Sequence, residues 1–430
     1  MDTNNKRDEE VFNFSNGELV PDENEVSEIT NEFAESEKAE VPKKPKKKKS
    51  LKRRILKGFL IFMCIFLSLV LVLAGTATIF IFSKLGKITY DTDEPVKINP
   101  NQEFVVPDGE EIDFGLIGDA AGNSMKEYLK NWATNGGKKM WDKNILNFLL
   151  IGSDASVYDS NRAHVTDKGN TDAMMVVSID RNEKTIKIVS FMRDSYTYMD
   201  QFDRFAKLNA ACANGGPAYL VETIENNFKI EIDGYILVDT DSFVQIIDIL
   251  GGVRVDVDGY FADYLTNNKD GSFPRGKNVL LNGKQALRYA RVRKAHADGD
   301  ISRVSKQREV IMAIIEKCKG ATVGEINAVL DVILANMRTN ISQSTIFGYI
   351  PTAVAEGWAG YTISELTMPD KYTRYSYVSS ETAWIWVIDY PLAAQTTQLF
   401  LYGETNIEEL PEERETAISV MGGYVPKKTN

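Results

Sequence analysis

The sequence predicts an α/β fold, a sheet covered by helices on both faces, carried outside a membrane on a single transmembrane helix. Three observations predict it. Apolar strands such as ILNFLLIG (145–152) carry no polar alternation and must be buried on both sides. Stretches with apolar residues near helical spacing separate such strands. A run without any charge, 58–83, precedes them all and is long enough to span a hydrocarbon core of about 30 Å.

Along 430 residues the charge is unevenly spread, although the net of −11 alone suggests only an acidic protein that does not bind nucleic acid. Residues 1–41 hold thirteen acidic side chains against Lys6, Arg7 and Lys38, with few aromatics and no period, so this tail reads as disordered. The collar 43–54 holds nine basic residues and no acid. By the positive-inside rule, 1–57 face the cytoplasm, 58–83 cross the membrane, and the body lies outside. A cleaved signal peptide fits poorly, because the run starts far from the N-terminus and is too long. Anionic lipid accounts for the basic collar without nucleic acid. Three cysteines and two histidines exclude a disulfide framework and a Cys/His zinc site. Cys212 and Cys318 each fall in a helical stretch and read as buried free thiols, though a bridge is chemically allowed outside the cell.

Residues 84–144 are rich in Pro, Asp and Asn and read as a linker with one amphipathic element near 125–141. The body runs from 145 to 403, followed by a tail, 404–430. It opens with the strand ILNFLLIGSD, then the hairpin AMMVVSID–RNEK–TIKIVSFMRD. GGPAYLVETIENNF reads as a helix, GYILVD as a strand, SFVQIIDIL as a helix and GGVRVDV as a strand. ALRYARVR reads as a strand, and 302–317 and TVGEINAVLDVILANM read as helices. TISELTMP and TAWIWVID are strands, and PLAAQTTQLFLYG closes the body as a helix.

Charge gathers where these apolar elements end. Asp154 follows the first strand and Asp172 enters the second, so the two carboxylates can share Mg²⁺ through oxygen ligands alone. Capping a turn is the simpler role for each. Arg193 and Asp194 close the hairpin. In YARVRKAHADGDISRVSKQR, Arg291 and Arg293 share one face if the segment is a strand. Arg303 and Gln307 share one face of the next helix, whose start Asp300 can cap. Guanidinium forks beside a helix N-terminus make an anion site suited to phosphate. His164 and His296 lie in polar loops and fit no catalytic triad.

Taken in order, IGSD, TDAMM, MRDSY, KLNAACANGG, DILGGV, LNGKQALRYARVR and DISRVSKQ resemble the motif set of the LytR-CpsA-Psr family of bacterial envelope proteins. Two departures stand out: Met192 replaces the proline of the family's Pro-Arg-Asp, and Asn170 stands where many members carry Arg. Arg162 or Lys168 can substitute for the latter. The resemblance implies an α-β-α layered sandwich with a hydrophobic groove for an isoprenoid chain. It also implies a phosphotransferase moving a glycopolymer, such as teichoic acid or capsule, from a polyprenyl-pyrophosphate carrier onto peptidoglycan. In that reading Arg193, Arg291, Arg293 and Arg303 hold the pyrophosphate with Asp300 and Gln307, and Asp154 and Asp172 hold Mg²⁺. The proton acceptor is a metal-linked Asp or Asp194. A membrane anchor suits a carrier confined to the bilayer. Two other readings stay open, a non-catalytic lipid-glycan binding module and an envelope regulator.

Overall fold

The computed structural model describes residues 63, 68, 76–91, 104–106, 112–114, 118–153, 171–267, 272–292, 300–378 and 384–411. The chain forms two units, Met1–Leu73 and Ala74–Asn430. Of the first, only Met63 and Ser68 are described, and both are helical. Among the described residues no helix is long and apolar enough to cross a membrane, and most of the run 58–83 lies outside them. The acidic tail, the basic collar and Cys64 lie outside them too.

In chain order the second unit comprises helix α1 (76–85), strand β1 (Thr89–Tyr90), α2 (Asp119–Asn135), β2 (Ile145–Ser153), β3 (Thr171–Asp180) and β4 (Thr185–Phe191). Next come β5 (Tyr196–Met199), β6 (Arg204–Lys207), α3 (Asn209–Phe228), β7 (Gly234–Asp239), α4 (Thr240–Ile249) and β8 (Val253–Val257). After these lie α5 (Gly259–Asn267), β9 (Gly276–Leu281), α6 (Gly283–Arg291), α7 (Asp300–Lys319), α8 (Val323–Asn336) and β10 (Met337–Thr339). The unit ends with α9 (Gln343–Glu356), β11 (Thr362–Met368), β12 (Arg374–Val378), β13 (Trp384–Ile388) and α10 (Tyr390–Tyr402).

Seven strands form a mixed sheet in the order β1-β10-β7-β2-β3-β4-β11. β2 runs antiparallel to β3 and parallel to β7, and β4 runs antiparallel to β3 and parallel to β11. The two faces differ. One carries Leu149, Ile151, Val176, Val189 and Leu237, buried under α2, α3 and α10. On the other, Phe148, Leu150, Val177, Ile186, Ile236 and Val238 are only half-buried. Ile236 and Ile333 of α8 pack against the same small core, and Phe148 meets the Tyr349 ring of α9 edge-on at 5.8 Å. The sheet is therefore layered between helices as the strands require, with one side closely packed and the other partly open.

A smaller core surrounds the β8–β9 hairpin, where Val255, Phe261, Leu281, Tyr289 and Val310 pack together. Cys212 and Cys318 sit in α3 and α7 without a disulfide between them, Cys212 buried as expected and Cys318 only half-buried. The amphipathic stretch read near 125–141 is α2, and its Met125, Leu129 and Trp132 belong to the main core. Residues 84–91, read as linker, are also part of the body: Leu85 and Ile88 are buried against Leu334 and Met337.

ALRYAR (286–291) is not a strand but the end of helix α6. Asn282 accepts from the Gln285 N–H and the Gln285 side chain returns the bond, a capping box that starts the helix before Ala, Leu and Arg propagate it. Arg291 is its last residue. The expectation that Arg291 and Arg293 share one face of a strand is thereby overturned. Arg293 itself lies outside the described residues.

Candidate active site at the strand ends

The site forms where β2, β3, β4 and β7 end together. Gly152 faces Ala173 and Ser153 faces Thr171, so Asp172 has no partner on β2 and forms a bulge. Bulges re-aim side chains that the pleat would otherwise direct. Asp172 Oδ1 accepts from Arg193 Nη1 at 2.7 Å, and its Oδ2 lies 3.5 Å from Arg291 Nη2. The Asp172 backbone carbonyl accepts from Gln307 Nε2 at 3.1 Å. One residue thus collects contacts from the hairpin end, from the last turn of α6 and from α7.

Arg193 is 1% exposed, an unusual position for a guanidinium. Its Nε also lies 3.7 Å from Asp194 Oδ2, and Lys207 Nζ lies 3.0 Å from Asp194 Oδ1. The backbone fixes this pair as well: the Trp386 N–H donates to the Asp194 carbonyl at 2.9 Å and the Asn209 N–H to the Arg193 carbonyl at 3.3 Å. Arg303 is buried on α7 one turn before Gln307, on the face that Gln307 presents to Asp172. Among the described residues, Arg193 and Arg291 meet Asp172, and Arg193 and Lys207 meet Asp194. Guanidinium forks of this kind suit a phosphate-bearing ligand such as a pyrophosphate.

Of the residues singled out in the sequence, the structure brings together Asp172, Arg193, Asp194, Arg291 and Gln307. Asp300 is the first residue of α7, at the helix start expected of it. Asp154, Asn170, Arg162, Lys168, His164 and His296 lie outside the described residues. Lys207 was not singled out, although it heads the KLNAACANGG motif; a lysine closing a short strand gives no periodic signal of a buried ion pair. Among the described residues no three His, Cys, Asp or Glu side chains cluster as a ready-made metal cage. Asp172 nevertheless suits Mg²⁺. Its two carboxylate oxygens are the hard donors that Mg²⁺ takes, and Mg²⁺ is commonly held by one or two carboxylates plus substrate phosphate.

A model of the LytR_cpsA_psr family matches residues 116–399. The chain is similar to the polyisoprenyl-teichoic acid–peptidoglycan teichoic acid transferase TagV of Bacillus subtilis, 31% identical over 248 residues, which are 56% of this chain and 58% of the relative. It is likewise similar to TagU of Bacillus licheniformis, named with the same activity, 37% identical over 180 residues, 41% of this chain and 56% of the relative. The chain therefore spans somewhat over half the length of these curated relatives. The crystal structure of a Streptococcus agalactiae protein shares its fold with a TM-score of 0.51 at 23% identity, covering 64% of this chain and 95% of that one.

Proposed function

The chain belongs to the LytR-CpsA-Psr family, and on that premise we propose that it is a membrane-anchored phosphotransferase moving a glycopolymer from a polyprenyl-pyrophosphate carrier onto peptidoglycan outside the cell. The named activity of the relatives, teichoic acid transfer to peptidoglycan, supports this substrate class. The observation that carries the reading is Asp172, bracketed by Arg193 and Arg291 at the strand-end edge of the central sheet. The half-buried apolar face beside it supplies a floor for an isoprenoid chain, whose burial contributes roughly 25 cal/mol per Å².

In this reading Arg193, held by Asp172 and Asp194, is a preorganised donor that needs no reorientation when phosphate arrives. Arg291, whose side chain is 37% exposed, swings from Asp172 to the incoming phosphate. Arg303 and Gln307 complete the cradle from α7, whose first residue is Asp300, and the family resemblance alone adds Arg293. An acceptor sugar hydroxyl attacks the phosphorus attached to the glycan, forming a new P–O bond. The bond from that phosphorus to the bridging oxygen breaks, and polyprenyl phosphate leaves. Asp172, 20% exposed, is the carboxylate a hydroxyl can reach to give up its proton; Asp194, at 5%, is shut behind Lys207 and positions the cations. Asp172 with Asp154 would hold Mg²⁺, which would supply added neutralisation of the phosphate charge.

The test is turnover by the full-length protein in detergent with a polyprenyl-pyrophosphate-linked glycan and peptidoglycan oligomers. Release of polyprenyl phosphate with glycan appearing on the acceptor is expected. Binding of the carrier without release would reduce the protein to a lipid-glycan binding module.

A further inference from the structure

The end of the apolar run is built into the body. Phe82 of α1 stacks on Phe347 of α9 with ring centroids 4.6 Å apart. Lys84 and Lys87 both reach Asp331 of α8 at 2.6 Å. β1 extends the sheet by pairing with β10, and Arg338 clamps Asp91 through its Nε at 2.6 and 2.8 Å. Tyr235, in the central strand β7, donates to the same Asp91. A flexible tether would make none of these contacts. The body instead leaves α1 at a fixed angle, beside α9.

Helix α9 itself is anomalous. No residue of it is fully buried, although it contains Ile346, Phe347, Tyr349, Ile350 and Val354. No charged side chain occurs between Arg338 and Glu356, and Glu356 is engaged by Arg181 at 2.5 Å. A water-facing helix normally carries charge on its outer side. Val354 is 78% exposed, and Ile79 and Phe80 on the adjoining α1 are 71% and 55% exposed. On its other side α9 touches the open sheet face through Tyr349 and Phe148. One helix therefore connects the outer end of the apolar run with the floor of the proposed isoprenoid groove.

We propose that α9 and the end of α1 form a lipid-docking surface: α9 rests in the interface of the bilayer and the groove behind it opens toward lipid, so that the carrier enters sideways without crossing water. The occupant is a phospholipid surface, because this face continues from the apolar run and carries no charge that an aqueous partner would pair with. The inference rests on the reading of the chain as anchored and acting on a lipid carrier.

The test places a photoreactive benzophenone side chain at Val354, and for comparison at Tyr372, which is 68% exposed on a β-turn segment, in full-length protein reconstituted into phosphatidylglycerol–phosphatidylethanolamine vesicles. Lipid adducts are expected at Val354 and not at Tyr372; equal labelling at the two sites overturns the docking surface. A second variant, Val354→Asp, is assayed with carrier embedded in vesicles and with a short-chain carrier dispersed in detergent. Turnover of the embedded carrier is expected to fall by about fivefold, the scale of placing one charge at the bilayer interface, with the dispersed carrier unaffected. Equal activity on both carriers overturns the sideways entry. If wild type turns over neither carrier, the transferase reading fails, while the adducts still decide whether α9 meets lipid.

Discussion

Arg193 donates from Nη1 to Asp172 Oδ1 at 2.7 Å from a position where only 1% of its surface meets solvent. This pair joins the end of the β3–β4 hairpin to the bulge at the start of β3, and it fixes a cation where a phosphate is to bind. A buried guanidinium that loses its carboxylate keeps its desolvation cost without the compensating attraction.

Asp172→Ala is therefore expected to lower stability in urea unfolding by about 1.5–3 kcal/mol, the scale of a charge-assisted hydrogen bond, and to abolish turnover. Asp172→Asn keeps an acceptor for Arg193 and should lose less stability while losing as much activity. Similar stability losses in the two variants would show that charge, not the hydrogen bond, holds Arg193.

Arg291→Lys keeps the charge but loses the planar fork, so pyrophosphate-carrier affinity is expected to fall about tenfold or more, measured by calorimetric titration at fixed salt. Gln307→Ala should cost less, about 0.5–1.5 kcal/mol, because its neutral amide holds only the Asp172 carbonyl. Wild-type affinity in both variants would mean that neither side chain meets the phosphate.

Asn282 caps the helix that ends in Arg291. Asn282→Ala should destabilise the protein by about 0.5–2 kcal/mol in urea unfolding. Because fraying displaces Arg291, carrier affinity should fall as well, and unchanged affinity in a destabilised variant would separate the helix start from the site.

Lys229 is buried, donates to the Ala133 carbonyl at 3.2 Å, and sits 5.2 Å over the Trp132 ring. Burial pushes its ammonium down to about 8. The unfolded chain therefore holds more protons at this residue from about pH 8 up to its ordinary value near 10.5, and stability due to Lys229 rises with pH across that window. Below pH 8 the cost of the buried charge is fully present. Lys229→Met should flatten the rise in urea midpoint between pH 8 and 10 relative to wild type.

Chelation should stop turnover by the wild-type protein and leave binding of the isoprenoid tail intact, since that depends on apolar area. Asp154→Ala should mimic the chelator. Full activity of the Asp154→Ala protein in chelator, followed by carrier release, would remove the metal from the scheme.

Much of the sheet was legible in the sequence, because β2, β3, β4 and β7 are apolar runs with polar ends that no helix period explains. Asp172, Arg193 and Asp194 were legible for the same reason, since charge at the end of an apolar strand has few structural uses, while Gln307 was legible from its helical spacing to Arg303. The segment ALRYARVR misled because Arg291, Val292 and Arg293 alternate at its end, although Arg288 and Arg291 are at helical spacing and the decisive signal lay upstream in the Asn282–Gln285 cap. Helix α9 escaped because it buries no residue and so shows no core stripe. The docking of 84–91 depends on Asp331, Arg338 and Tyr235, each more than a hundred residues away, and no local pattern carries such contacts.

The bulge at Asp172 has a consequence for how this protein can change. A strand obeying strict alternation must hand every position to one face or the other, so a functional side chain competes with packing for its place. Here one surplus residue stands outside that rule. Substitutions that refill the sheet's interior can accumulate at Met174 or Val176 without re-aiming the carboxylate, and the carboxylate can be replaced without opening a void beneath it. Inserting one residue opposite Asp172, between Gly152 and Ser153, would give it a partner on β2 and couple the two again, at the expense of one of them.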